Sequence, residues 1–193
     1  MGRKSLIDDR QVYAALGRTL AERGQATLAD VQAATGVSTG SLYHRYGSRE
    51  GMMAEAWLTT VSLFQERFLA ALLRGSAASG VEAALETPRF CRADPDLSLV
   101  LVCCRPSEFL SGDIPSEVKS RVRTANTQAS RAIEAFAKRI DRPLLACRLA
   151  LIAFPLGAVR LFLPQRQIPM EVDDHIRLAV EATLKLSRPA HGG

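Results

Sequence analysis

TLADVQAATGVSTGSLYHRYGSRE, residues 27–50, reads as two short helices joined by a tight turn. Leu28, Val31 and Ala34 recur at helical spacing and give the first segment one apolar face. Thr27 is a good N-cap for it. Gly36 stops it where a left-handed backbone suits a residue without Cβ. Val37 is apolar and can fill the core under the turn, and Ser38 is an N-cap for the second segment. Leu42 and Tyr46 lie four apart and can face inward. Thr39, Gly40, Ser41, Tyr43 and His44 are left outward, small or able to hydrogen-bond. No acid occurs between Asp30 and Glu50, whereas Arg45 and Arg49 do. A surface that is neutral or positive, rich in donors and small at the helix start suits a phosphate-lined groove. Two small helices also pack together in ordinary helical domains. The combination of caps, glycine, small outward residues and absent acids is what separates this pair from that background.

The order Thr-x-x-x-Val, Ala-x-x-Gly-Val-Ser, Gly-Ser-Leu-Tyr and Ser-Arg-Glu resembles the DNA-binding domain of TetR-type (tetracycline-repressor-like) transcriptional regulators. The detailed match covers about the first quarter of the chain. The resemblance implies an all-α fold, in keeping with the helical patterning along the chain, which counts about nine helices. A three-helix helix-turn-helix DNA-binding domain would occupy residues 1–50, and a larger ligand-binding and dimerisation domain residues 51–193. It implies that the second helix of the pair lies in a major groove. Thr39, Gly40 and Ser41 would then approach bases, while Tyr43 and His44 would meet phosphates or a thymine methyl. Thr27 and Ser38 would meet phosphates at helix N-termini, where N–H groups point outward, and Arg49 would pair with phosphate. The sequence departs from the family pattern at Arg45-Tyr46, usually His-Phe, and at Gly51, usually acidic or polar. Tyr46 can still fill the core position. Arg45 either adds a phosphate contact or alters base preference. Gly51 is expected to weaken the start of the following helix by up to about 1 kcal/mol relative to Ala.

The rest of the chain carries helical patterning. Asp8 and Asp9 suit the start of a first helix, in which Val12, Leu16 and Leu20 form an inward stripe closed by Gly24. Ser48 caps a long helix through Trp57, Phe64 and Phe68 to Leu72. Gly75–Gly80 reads as a turn and residues 81–91 as a helix. Asp94-Pro95 starts an apolar helix holding Leu97 and Leu99–Val102. From Pro115 a long amphipathic helix places Val118, Val122, Ala125, Ala129, Ile133, Phe136 and Ile140 on one face. Residues 144–163 form an apolar helix that Pro155 should kink. Residues 171–187 form the last, with Val172, Ile176, Ala179, Val180, Thr183 and Leu184 inward. A short connection, 164–169, and a tail, 188–193, complete the chain.

At 193 residues the chain can bury a real core, and its composition is that of a globular protein. The formal net charge of +5 fits a polyanion partner only weakly. Residues 1–51 hold seven Lys or Arg against five acids, and the remainder eighteen against fifteen, so the basic character is local, in the acid-free run. There is no signal-peptide pattern and no apolar run long enough to span a bilayer, and the expected location is cytoplasmic. Cys91, Cys103, Cys104 and Cys147 form no C-x-x-C pair and read as buried thiols in a reducing compartment. Vicinal Cys103-Cys104 could alternatively sense oxidants or soft metals. The three histidines, His44, His175 and His191, have no partner constellation, metal-ligand spacing or phosphate loop around them. No cofactor or metal is expected, and the chain reads as a non-enzyme.

Two further expectations concern the second half. Phe64, Phe68, Phe109, Phe136 and Arg105 are candidates to line the site of a small-molecule inducer, which TetR-type proteins usually hold among these helices. Simple core packing of the phenylalanines, and surface exposure of Arg105 and Arg160, are the competing readings. Residues 144–163 and 171–187 are apolar over more surface than one core needs, so two copies could pair there, and a twofold dimer implies a palindromic operator. The main competing reading is a helical carrier of hydrophobic ligands with a non-functional DNA head.

Overall fold

A computed structural model describes residues 7–163 and 167–186. The basic arm at Arg3 and Lys4, part of the 164–169 connection, and the tail with Ser187 and His191 lie outside the described residues. Among those described, the secondary structure is helical, and the fold is all-α. The chain divides into two compact units, each assembled from two segments.

The first unit comprises Met1–Thr60 and Asp96–Val122. Helix α1 (Asp9–Arg23) begins where the Asp8 carboxylate accepts from the Arg10 N–H at 3.0 Å, and it ends at Gly24 with φ 71°. Val12, Leu16 and Leu20 are buried along its expected stripe, and Ala15 is buried as well. Helices α2 (Leu28–Thr35), α3 (Thr39–Tyr46) and the start of α4 (Arg49–Leu73) follow with short connections. Of the apolar face expected on α2, Val31 is fully buried and Leu28 partly so. Ala34 faces solvent, because α2 is only eight residues long and packs along a narrow stripe. Helix α6 (Pro95–Cys103) buries Leu97, Ser98, Leu99, Val100 and Val102, as its all-round apolar composition requires. It lies close against α1: a Cβ added to Gly17 would stand 3.1 Å from the Asp96 carbonyl oxygen and from the Leu99 and Val100 side chains. A short helix that the sequence patterning did not suggest, α7 (Pro106–Leu110), sets Phe109 fully buried with its ring centroid 6.2 Å from that of Trp57. Proline at its start suits a first turn, but five residues are too few to carry a period.

The second unit comprises Val61–Pro95 and Arg123–Gly193. It contains the second half of α4, helix α5 (Ala77–Ala93), most of α8 (Ser116–Arg139), and α9 (Leu144–Arg148), α10 (Phe154–Arg160) and α11 (Glu171–Leu186). The expected turn at Gly75–Gly80 is mostly helix. Ser76 and Ser79 bond reciprocally as a capping box, so α5 starts at Ala77. Gly80 is a packing residue inside α5, since an added Cβ would lie 2.7 Å from the Phe136 ring and 3.4 Å from Leu184. Arg92 near the end of α5 bonds both carboxylate oxygens of Asp173 in the first turn of α11, at 2.9 and 2.7 Å. Gln65 donates to the Ala125 carbonyl at 3.2 Å and so pins α4 to α8 inside this unit.

Pro155 acts as a local widening of the helix. Residues Leu149–Ala153 form a π-helical turn between α9 and α10, and the Phe154 N–H reaches back to the Leu149 carbonyl. Proline cannot donate to the carbonyl four residues before it, and a turn with one extra residue accommodates that loss. Val172, Ile176, Val180 and Leu184 are buried on α11 as expected. Cys91, Cys104 and Cys147 are buried, whereas Cys103 is half-buried. Burial pushes the Cys104 thiol up to about 12, so it stays protonated and unreactive at neutral pH. No described helix is long and apolar enough to cross a membrane.

Candidate nucleic-acid interface

The turn between α2 and α3 is built by local hydrogen bonds that the sequence order dictates. Thr27 and Asp30 form a reciprocal capping box: the Asp30 N–H donates to Thr27 Oγ1 at 3.2 Å and the Thr27 N–H to Asp30 Oδ2 at 2.9 Å. The Thr27 hydroxyl also donates to Asp30 at 2.7 Å, which holds that carboxyl below its ordinary range, aided by Arg23. Thr27 therefore meets any external partner with its hydroxyl proton already engaged. Gly36 closes α2 at φ 74°, a conformation costly for a residue bearing Cβ. The Thr35 hydroxyl accepts from the Val37 N–H at 3.2 Å. Ser38 then caps α3, its oxygen accepting from the Ser41 N–H at 3.1 Å.

Leu42 is fully buried and Tyr46 nearly so, and these two anchor α3. The opposite face carries Thr39, Gly40, Ser41, Tyr43 and His44, all exposed. Tyr43 is 63% exposed, so it is not a core tyrosine. Gly40 has nothing within 4 Å of where its Cβ would stand. Its small size therefore serves no packing inside the protein and leaves open space at the start of the helix. Thr39 gives both its N–H and its hydroxyl hydrogen to Oε1 of Gln32 on α2. Sequence patterning gave no signal for Gln32, because an exposed glutamine in a short helix fits any surface.

The two arginines expected to meet phosphate are partly engaged inside the protein. Arg45 Nε donates to Asp9 Oδ1 at 3.0 Å, and Arg45 Nη2 to Asp9 Oδ2. The Tyr46 hydroxyl donates to the same Asp9 Oδ1 at 2.5 Å. Together they tie the end of α3 to the first turn of α1. The Arg45 guanidinium and the Tyr46 hydroxyl hold the Asp9 carboxyl below its usual range against the opposing effect of burial. Burial and the bond to Asp9 push the Tyr46 phenol up, so it remains a donor throughout the physiological range. Burial likewise pushes Tyr13, packed 6.2 Å from Tyr46, up to about 12. The departure from the usual His-Phe pair thus has a partner in Asp9, which the sequence alone did not connect to it.

Arg49 Nε donates to the Ala26 carbonyl, and its Nη1 to Glu50 at 3.1 Å. It fastens the start of α4 to the loop before α2. Ser48 caps α4 through the Gly51 N–H at 2.9 Å. The expected weakness at Gly51 is corrected by its surroundings. A Cβ there would collide with the Tyr46 carbonyl oxygen, so glycine is what lets α3 and α4 meet this closely.

The proposed inducer residues fall in different places. Phe109, buried, and Arg105, exposed, belong to the first unit. Phe68 and Phe136 are fully buried in the second. Phe64 is half-buried there, stacked on Phe68 at 5.4 Å and edge-on to Phe90 at 5.9 Å. Arg160 is exposed. A separate cleft of about 440 Å³ in the second unit is lined by Ala77, Val81, Ile140, Leu184 and the charged Arg142 and Glu181.

Residues 14–56 match the sequence profile of the family described as bacterial regulatory proteins, tetR family. Solved structures share the fold over nearly the whole chain. A TetR family transcription regulator from Marinobacter aquaeolei is 16% identical with a TM-score of 0.67, covering 94% of this chain and 96% of that one. The TetR family transcriptional regulator PfmR from Thermus thermophilus is 17% identical with a TM-score of 0.65, covering 92% and 99%. The fatty acid degradation regulator FadR from Bacillus halodurans is 13% identical with a TM-score of 0.66, covering 96% and 100%. At such identities the likeness establishes the fold. A search of curated proteins gave no match in sequence.

Proposed function

We infer that this chain, whose residues 14–56 match the tetR-family model, is a DNA-binding transcriptional regulator, a repressor that binds a palindromic operator as a dimer and is released by a small ligand. The observation that carries the reading is the outer surface of α3. Five small or hydrogen-bonding residues face solvent there, no acid stands among them, and Gly40 leaves room for a close approach. In this reading residues 1–50 bind DNA. Thr39, Gly40 and Ser41 lie nearest the base edges, and Tyr43 and His44 lie beside phosphates. Ser38 and Thr27 offer helix N-termini to the backbone. Arg45 and Arg49 chiefly position α3 and α4, and their remaining donors add charge near the phosphates.

Residues 51–193 carry dimerisation and ligand binding in this proposal. Leu145, Leu149, Phe154, Leu161 and Leu178 are exposed apolar side chains on the segments 144–163 and 171–187. Exposed apolar side chains are costly in water and suit a second copy of the chain. Phe64, with its half-buried ring, is the best placed of the candidate inducer contacts. Ligand binding would favour a conformer in which the two reading helices no longer match the operator spacing. Helix α4, which supplies residues to both compact units, is the proposed carrier of that change.

The test is selection of binding sites from a pool of random duplexes with purified full-length protein, followed by titration against salt. The expected result is a palindromic consensus whose affinity falls steeply with salt. Binding without sequence preference, or none at all, would leave the ligand-carrier reading in its place.

A further inference from the structure

Gln32 projects from α2 toward the start of α3, seven residues before Thr39. Its Oε1 accepts from the Thr39 backbone N–H at 3.1 Å and from the Thr39 hydroxyl. A backbone N–H can only donate, so the atom facing it has to be the amide oxygen, which fixes the way the amide is turned. Two donors occupy the two lone pairs of that oxygen. The amide nitrogen, with two N–H groups, donates to no described residue, and Gln32 is exposed. A glutamine without such neighbours reads adenine by donating to N7 and accepting from the N6 amino group. Gln32 can only donate. Facing adenine, its N–H groups would oppose those of N6. Facing guanine, they meet two acceptors, N7 and O6.

We propose that Gln32 is a specificity-determining residue made donor-only by Thr39, and that it selects guanine over adenine at one position of each operator half-site. This rests on the DNA-binding reading above. Thr39 then acts on sequence preference through Gln32 as well as by its own approach to the groove. Its hydroxyl hydrogen is committed to Gln32, so toward DNA it offers only lone pairs.

The experiment is duplex selection with the full-length wild-type protein and the variants Gln32→Leu and Thr39→Val, each first checked for an unchanged melting temperature. The wild type should enrich a guanine at one position per half-site. Gln32→Leu should lose preference at that position and keep the rest of the consensus. Thr39→Val removes the hydroxyl donor, restores an acceptor lone pair on the amide, and should move that position toward adenine by about tenfold relative to guanine, within the range of a single bidentate base contact. A Gln32→Leu variant weakened equally on all sequences, with a shallower salt slope, would place Gln32 on a phosphate and overturn the inference. Unchanged profiles in both variants would also overturn it, and would leave the regulator reading intact. A wild type that selects no sequence overturns both.

Discussion

Asp9 stands in the first turn of α1, where a helix end already favours a carboxylate. It accepts from Arg45 and Tyr46, the pair in which this chain leaves the usual family pattern. Its native pKa is lowered, so its stabilising contribution is complete above the ordinary aspartate value of 3.8 and is lost as pH falls through the lowered native value. Asp9→Asn should therefore lower the melting temperature at pH 7, by a destabilisation of about 1 kcal/mol given the exposure of the pair. The gap to wild type should close on acidification below 3.8. A gap that persists in acid would show that shape, and not charge, is what Asp9 supplies. Gly51 presents a different case. Helix propensity alone predicts that Gly51→Ala stabilises by up to about 1 kcal/mol. The clash with the Tyr46 carbonyl predicts a loss of about 1–3 kcal/mol, the usual range for overpacking. Chemical denaturation of the variant decides between them. The sequence order shows a glycine but not the backbone that comes within reach of it.

The helices themselves were legible where residues announce their ends. Asp8, Thr27, Ser38 and Ser48 cap, and Gly24 and Gly36 terminate, as their chemistry requires. Reading failed where two signals compete. Gly75 to Gly80 looks like a turn by composition, but the Ser76–Ser79 pair starts a helix within it. The run around Pro155 reads as an α-helix disturbed by proline, and the π turn that precedes the proline has no periodic signal of its own. The face of α3 was legible, because burial of Leu42 and Tyr46 leaves the other side no choice. The bonds that tune it, from Gln32 and Asp9, join residues distant in sequence and were not. At this scale the test of the face is to alter it without touching the core. Tyr43→Ala should leave the melting temperature within about 1 °C, as expected for an exposed position, and weaken operator binding several-fold. Gly40→Leu should also fold normally, since open space surrounds the glycine. It should nevertheless abolish binding by blocking close approach, as read by fluorescence anisotropy with a labelled duplex. Normal binding by Gly40→Leu would remove α3 from the groove.

For the molecule as a whole, the all-helical class followed from periodicity, and the reading head from its motif. The inducer site did not follow, because buried phenylalanines look alike whether they pack a core or line a cavity. Phe68 and Phe136 are packed against protein, and Phe109 belongs to a different compact unit from both. Pairing of two copies is testable at the exposed apolar residues of the later helices. Leu145→Glu combined with Leu161→Glu should shift the sedimentation coefficient from dimer to monomer at micromolar concentration. Both residues are largely exposed within one chain, at 68% and 74%, so the monomer fold should survive. A doubly substituted protein that still sediments as a dimer would move the interface elsewhere.

The compact unit that holds the reading helices takes in Asp96–Val122 as well as the chain up to Thr60, with α6 seated on Gly17. Anyone wishing to transplant this unit onto another protein therefore faces a two-segment graft. A fragment cut after residue 60 would strip α1 of the cover formed by Leu99 and Val100 and leave Trp57 without Phe109. It should express as an aggregating polypeptide, not as a portable module. A chimera that carries both segments, or that replaces Leu99 and Val100 with matched residues from the recipient, is the route by which the head could be exchanged.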